Sequence, residues 1–93
     1  MKKTSSLETG AVFVTKQMEA TDDTEFPKHT ASLESVLVLL EGSCTIVFPD
    51  AAHELRPGDT FIVPASEVHQ VVGTPRFKAV HIMPKDIRFD FRV

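Results

Sequence analysis

Cysteine is almost absent from this chain. Cys44 stands alone, which excludes an internal disulfide and a zinc site built on cysteines, and fits a reducing cytoplasm. Long apolar runs are missing as well. The longest, Val36 to Leu40, falls far short of the roughly 18 residues that a membrane span needs. No basic run exceeds Lys2-Lys3 and the formal net charge is −3, so the clustered positive footprint of a nucleic-acid binder is lacking. Met1 to Glu8 carries charge without an apolar core and does not read as a signal peptide. No segment keeps a helical period of about 3.6 over some ten residues. Neither Ser35 nor Ser66 sits in a G-x-S-x-G context, so a serine-histidine nucleophile is not expected.

What remains is a chain of short apolar runs punctuated by turns. The runs are Ala11 to Thr15, Ser35 to Leu40, Cys44 to Phe48, Thr60 to Val63, Val68 to Val72, Phe77 to Met83 and Ile87 to Val93, with His53-Glu54-Leu55 as a further short one. Glu41-Gly42, Pro49-Asp50, Pro57-Gly58-Asp59, Pro64-Ala65-Ser66, Gly73-Thr74-Pro75 and Pro84-Lys85-Asp86 separate them as turn signals. Gln17 to Lys28 is polar and acidic (Glu19, Asp22, Asp23, Glu25) and reads as a loop. The pattern is all-β, a sandwich or a barrel, in one domain spanning residues 1–93. Ile87 to Val93 alternates apolar and charged residues, which predicts a final strand with Ile87, Phe89, Phe91 and Val93 on one buried face, closing its own sheet or a neighbour's. In the run from Ser35 to Leu40 both faces are apolar. If Ser35, Leu37 and Leu39 face inward, then Val36, Val38 and Leu40 need a cover of their own. A chain of 93 residues buries only roughly 60–65% of its unfolded surface, so a second subunit on that face, making a homodimer, is the expected cover.

Two motifs carry chemistry. Gly58, Pro64 and His69 fall in the spacing G-x5-P-x-G-x2-H-x3-N, with Ser66 at the second glycine and Gly73 at the asparagine. Upstream, His29, Ala31, Ser35 and Gly42 fall on H-x-H-x3-E-x6-G, where His29 and Gly42 agree and Ala31 and Ser35 do not. Glu34 lies one position off, and a one-residue offset in a strand turns a side chain to the other face. The pair of motifs, with Leu39-Leu40-Glu41-Gly42 and the later Phe77-Lys78, resembles the cupin superfamily, in particular its small single-domain bacterial members. The resemblance implies an antiparallel jelly-roll β-barrel with a pocket lined by His29, Ala31, Ser35, Leu37, Leu39 and His69, joined by His81 if its face is inward. It also implies a metal at His29 and His69, with two of the usual ligand positions lost to Ala31 and Ser35.

Plainer readings stand beside these. His69 can hold the corner by hydrogen bonding inside the barrel, His29 can be a surface histidine, and His81 an edge or interface residue. His53 reads as solvated, Asp59 as a turn acceptor of backbone N–H groups, and Cys44 as a buried structural thiol. Three neutral imidazoles would suit Zn, Fe, Ni or Cu. Two functions follow: a small-molecule-binding or sensing module with a mostly apolar pocket and a weak or absent metal site, or a metal-dependent enzyme of dioxygenase or isomerase type using His29, His69 and one recruited ligand. With only two motif histidines present, the binding module is the favoured expectation.

Overall fold

A computed structural model describes residues 1–22 and 24–93; the acidic position Asp23 lies outside the described residues. Among the described residues the chain forms eight strands and no helix: β1 (Lys2–Thr9), β2 (Phe13–Ala20), β3 (Thr30–Ala31), β4 (Ser35–Phe48), β5 (Ala51–Leu55), β6 (Thr60–Val63), β7 (Gln70–Pro84) and β8 (Phe89–Asp90). β1, β2, β7, β4 and β5 run in that spatial order in one antiparallel sheet, β6 adds to β4, and β3 pairs with β8 separately. The all-β jelly-roll architecture is the expected one.

The two longest strands each absorb a turn signal. β4 runs straight through Glu41-Gly42, where its register against β7 shifts between Leu39 and Glu41 and again between Gly42 and Cys44. Before the shift the buried residues are Ser35, Leu37 and Leu39; after it they are Cys44 and Ile46. The side-chain phase has therefore moved by one, as bulges allow, and the strand bends while keeping its apolar residues inside. Gly42 makes this possible with a φ of 74°. β7 likewise runs through Gly73-Thr74-Pro75. Pro75 falls in the unpaired gap opposite the β4 bulge, where its missing N–H removes no ladder bond. Ser43 Oγ donates to the Thr74 carbonyl there.

Other boundaries also differ from expectation. β1 carries no apolar signal because it is an almost wholly exposed edge strand, zipped to β2 from Lys2↔Ala20 to Thr9↔Val14 and protected by its lysines and hydroxyls. β2 extends to Ala20, so Gln17 to Ala20 belongs to a strand. Beyond it, Glu25 and His29 bridge to Val72 and His69, with Phe26 N–H donating to Val71 O at 2.9 Å. The segment expected as a loop is thus partly strand and partly strand-like. The C-terminal expectation needs the largest correction. Only Phe89–Asp90 is strand, because its partner β3 is two residues long. Phe89, Phe91 and Val93 are 37%, 57% and 57% exposed, and Arg92 folds back onto Asp90 through three bonds. The segment is a strap across the barrel with no buried face of its own.

The core is one cluster built on Leu37, Leu39, Cys44, Ile46, Val71, Phe77 and Ala79, with Met18, Phe48 and Phe61 packed against it. Leu39, Cys44, Ile46 and Ala79 are fully buried. Burial pushes the Cys44 thiol up to about 11, as expected of a structural thiol. Asp59 is the expected turn acceptor: its Oδ2 receives the Arg56 N–H at 2.9 Å.

Candidate functional site

The second motif sets one wall of the site. β6 ends at Val63 and Pro64 opens a corner that brings the chain back at His69. Ser66, the residue in the glycine position, takes a φ of 67°, and its N–H donates to Ala31 O at 2.7 Å. A serine in the left-handed region costs roughly 1–2 kcal/mol, which explains why glycine suits that position. His69 emerges from the corner 4% exposed. Its backbone exchanges both hydrogen bonds with His29, N–H to O at 3.1 and 3.0 Å. Directly paired residues of an antiparallel ladder share a face, so the two rings meet with centroids 4.4 Å apart, edge to face.

Each ring is oriented by a carbonyl two residues before it: His29 Nδ1 lies 2.9 Å from Pro27 O, and His69 Nδ1 lies 2.9 Å from Glu67 O. A carbonyl only accepts, so Nδ1 carries the proton in both and Nε2 holds the lone pair. His81 comes from β7. Cross-strand pairing sets it between Lys16 of β2 and Leu37 of β4, and its Nε2 meets Ser35 Oγ at 2.7 Å. Burial first, and then repulsion from Lys16 and from His29 and His69 when these are protonated, pushes the His81 imidazole down to about 4. Burial also lowers His69. These two are neutral at neutral pH.

The three imidazoles border a cavity of about 240 Å³. Leu37, Val63, Val71 and Met83, with Met18, Phe26 and the strap residues Phe89 and Phe91, supply its apolar lining. The strap rings sit on His29, with centroids 5.4 and 5.2 Å away. Lys16 and Thr4 are the remaining polar lining residues, and among the described residues no carboxylate lines the cavity. Of the expected site residues, His29, His69, His81 and Leu37 meet here. Ser35 is buried behind His81 as its hydrogen-bond partner. Leu39 is fully buried in the core, one turn of the pleat beyond the cavity. Ala31 belongs to a separate cleft with Thr30, Ser66 and Phe89, because its strand is turned toward β8. His53 is exposed and stacks on Phe61 at 5.1 Å. Lys16 and Met18 join the site because β2 runs beyond Thr15 to Ala20, and Phe26 because the polar stretch after it bridges back to β7. The period-two row Val14, Lys16, Met18 was the available signal.

The sequence from residue 14 to residue 87 matches the AraC-like ligand binding domain. The chain belongs to that family. It is a small cupin, and solved cupins share its fold. A cupin superfamily protein from Desulfitobacterium hafniense superposes with a TM-score of 0.83 at 23% identity, over 92% of this chain and 79% of that one. The polyketide cyclase RemF from Streptomyces resistomycificus gives 0.87 at 22% identity, over 99% and 71%. Salicylate 1,2-dioxygenase from Pseudoaminobacter salicylatoxidans gives 0.86 at 13% identity, with this chain spanning 98% of itself but 29% of that enzyme. No curated protein matches the chain.

Cupin enzymes can hold a metal, and the donor set of this cupin meets that requirement only in part. His29 and His69 meet part of it: a ligating imidazole normally gives its other N–H to a carbonyl or carboxylate, and both do. The set then runs out. Ala31 is turned away and has no donor atom. Ser35 Oγ is engaged by His81 Nε2, which occupies the nitrogen His81 would need. Among the described residues no group of three or more His, Cys, Asp or Glu is arranged to hold a metal ion. Two imidazoles do not fit a site that requires three protein ligands.

Proposed function

We propose that this cupin is a binding module that takes a small organic molecule into the cavity beneath the C-terminal strap. The carrying observation is the cavity wall: apolar over most of its area, with a few convergent polar groups, which is the usual make-up of a ligand site. The family match to a ligand binding domain supports the same reading, and the buried, unreactive Cys44 suits a cytoplasmic protein. A ligand present at a hundredfold excess over its Kd stabilises the folded state by about 2.7 kcal/mol, or roughly 10–20 °C in a domain of this size. Screening small apolar acids, amides and alcohols by thermal unfolding should therefore find at least one that raises the melting temperature by several degrees. The substitution Val71→Phe, which fills the cavity, should abolish that response. If no compound class shifts the transition, the reading fails.

A metal-dependent enzyme of the dioxygenase or isomerase type is the second reading. The free Nε2 atoms of His29 and His69 favour it, and so does the fold it shares with a cyclase and a dioxygenase. It requires His81 to leave Ser35 and become the third ligand. Protein made without a tag and dialysed should retain well under one transition metal per chain by elemental analysis. A stoichiometric metal that His69→Ala removes would put the enzyme first.

A homodimer is part of the proposal. On the outer face of β4, Val36 pairs across to Ile62 and Ile82, and Val38 to Val80. Ile62 and Leu40 are 55% and 44% exposed on this face or at its end. Contiguous apolar surface of this kind marks interfaces. Val38→Asp should convert a dimer to monomers or aggregates in sizing with light scattering. An unchanged stable dimer would remove this face from consideration.

A further inference from the structure

The geometry points to a small monocarboxylate with an apolar body, roughly ten non-hydrogen atoms in all, as the ligand of the cavity, its carboxylate held by Lys16. This rests on the binding-module reading and narrows it to one chemical class.

Charge comes first. Among the described residues Lys16 is the one lysine, arginine, aspartate or glutamate on the cavity lining. Among the described residues it has no ion-pair partner, although four other pairs form: Met1–Asp22, Arg56–Glu54, Lys78–Glu41 and Arg92–Asp90. Lys16, a partly buried residue, pairs directly across from His81 in the β2–β7 register. A cationic side chain on an otherwise mostly apolar wall gives a charge-assisted hydrogen bond to an anion that reaches it, and such bonds are the strong ones. Among the described lining residues a cationic ligand would meet Lys16, three imidazoles and the Thr4 hydroxyl, none of which carries the negative charge to neutralise it.

Size and shape come second. A dry apolar cavity of roughly 150 Å³ admits benzene. The volume here is about 240 Å³, which leaves room for a ring plus a short acidic arm. Phe26, Phe89, Phe91, His29 and His69 offer ring edges and faces to such a body, and aromatic pairs gain beyond area burial. The carboxylate end belongs on the Lys16 side, and the apolar end against Leu37 and Val71.

Phenylacetate, phenylacetamide and phenethylamine differ little in shape and differ in charge. Titration calorimetry of the full chain at neutral pH and moderate salt should show phenylacetate binding, with the amide at least tenfold weaker and the amine undetectable. Lys16→Gln should weaken phenylacetate at least tenfold, the size of one charge-assisted hydrogen bond, and leave the amide unchanged. Its melting temperature without ligand should stay near that of the parent, which separates lost recognition from lost folding. If the amide or the amine binds as tightly as the acid, or if Lys16→Gln leaves phenylacetate unaffected, the anion assignment is overturned while the binding module stands. If none of the three binds at millimolar concentration, and the broader thermal screen is also silent, both readings fall together.

Discussion

Gly42→Ala should remove about 3 kcal/mol or more of stability, the sum of a left-handed backbone cost of roughly 1–2 kcal/mol and a severe overlap. The φ at this position is 74°, and an added Cβ would lie 2.0 Å from the Arg76 carbonyl oxygen, 2.9 Å from its carbon and 3.0 Å from Phe77 Cα. All three are backbone atoms of β7, so no side-chain rotation relieves the contact. Relief requires β4 and β7 to separate at the bulge that lets β4 change phase between Leu39 and Cys44. Those two residues are fully buried, and pulling them apart opens the core. Against a typical stability of 5–15 kcal/mol, with a small domain near the low end, most of the variant should be unfolded or insoluble. Gly58→Ala is the control. Its φ is 92°, but nothing lies within 4 Å of the new Cβ, so only the backbone cost of roughly 1–2 kcal/mol applies. Urea unfolding of the two variants compares them directly. A Gly42→Ala loss no larger than that of Gly58→Ala would mean that the strands adjust and the close approach is unimportant.

The same glycine shows what could be read from the residues and what could not. Where a strand is half-buried and short, local pattern suffices: Thr60–Val63 is the strand expected, and the inward phase of Ser35, Leu37 and Leu39 is the expected one. Where the chain is held by a partner rather than by its own apolar face, the pattern is silent. β1 is nearly all polar and exists because β2 offers it a ladder. Glu41-Gly42 has the composition of a turn and the geometry of a bulge, and the two differ only in whether the flanking runs continue past each other along β7. The site divides along the same line. His69 was legible because a proline corner precedes it. That His29 lies opposite it depends on a pairing across forty residues through a segment with no strand signal. Lys16 was invisible for that reason: a lysine in a polar stretch looks solvated until its cross-strand neighbour is known to be His81. The C-terminal alternation misled because period two gives a strand one apolar face but does not supply a long enough partner. With β3 only two residues long, Phe89 and Phe91 became cover for the cavity instead of core.

The buried imidazoles make a second large effect, on acid stability. His81 is pushed down from 6.5 to about 4 by burial first and by His29, His69 and Lys16 after it; His69 is lowered in the same direction, again by burial first. Depressed folded values set the sign. Between pH 6.5 and about 4 the unfolded chain binds a proton at His81 that the folded chain does not, so unfolding takes up protons and stability falls as the pH falls. The stabilisation is complete above pH 6.5 and is lost by the time the pH reaches about 4. At about 1.4 kcal/mol per pKa unit, the ceiling from His81 is near 3 kcal/mol, and relaxation and water entry bring the expected loss to about 2 kcal/mol. Asp22 and Asp90 are also lowered, by hydrogen bonds from the N-terminus and from Arg92, but they are exposed and act below this window. Denaturant unfolding at pH 7.5 and pH 4.5 should show the loss in the parent. His81→Gln keeps a polar atom within reach of Ser35 and has nothing to titrate, so its curve should be distinctly flatter between the two pH values, at a cost of about 1 kcal/mol at pH 7.5. Equal acid losses in both proteins would mean that His81 is already charged in the fold or freely solvated, and the neutral imidazole wall of the cavity would have to be abandoned with it.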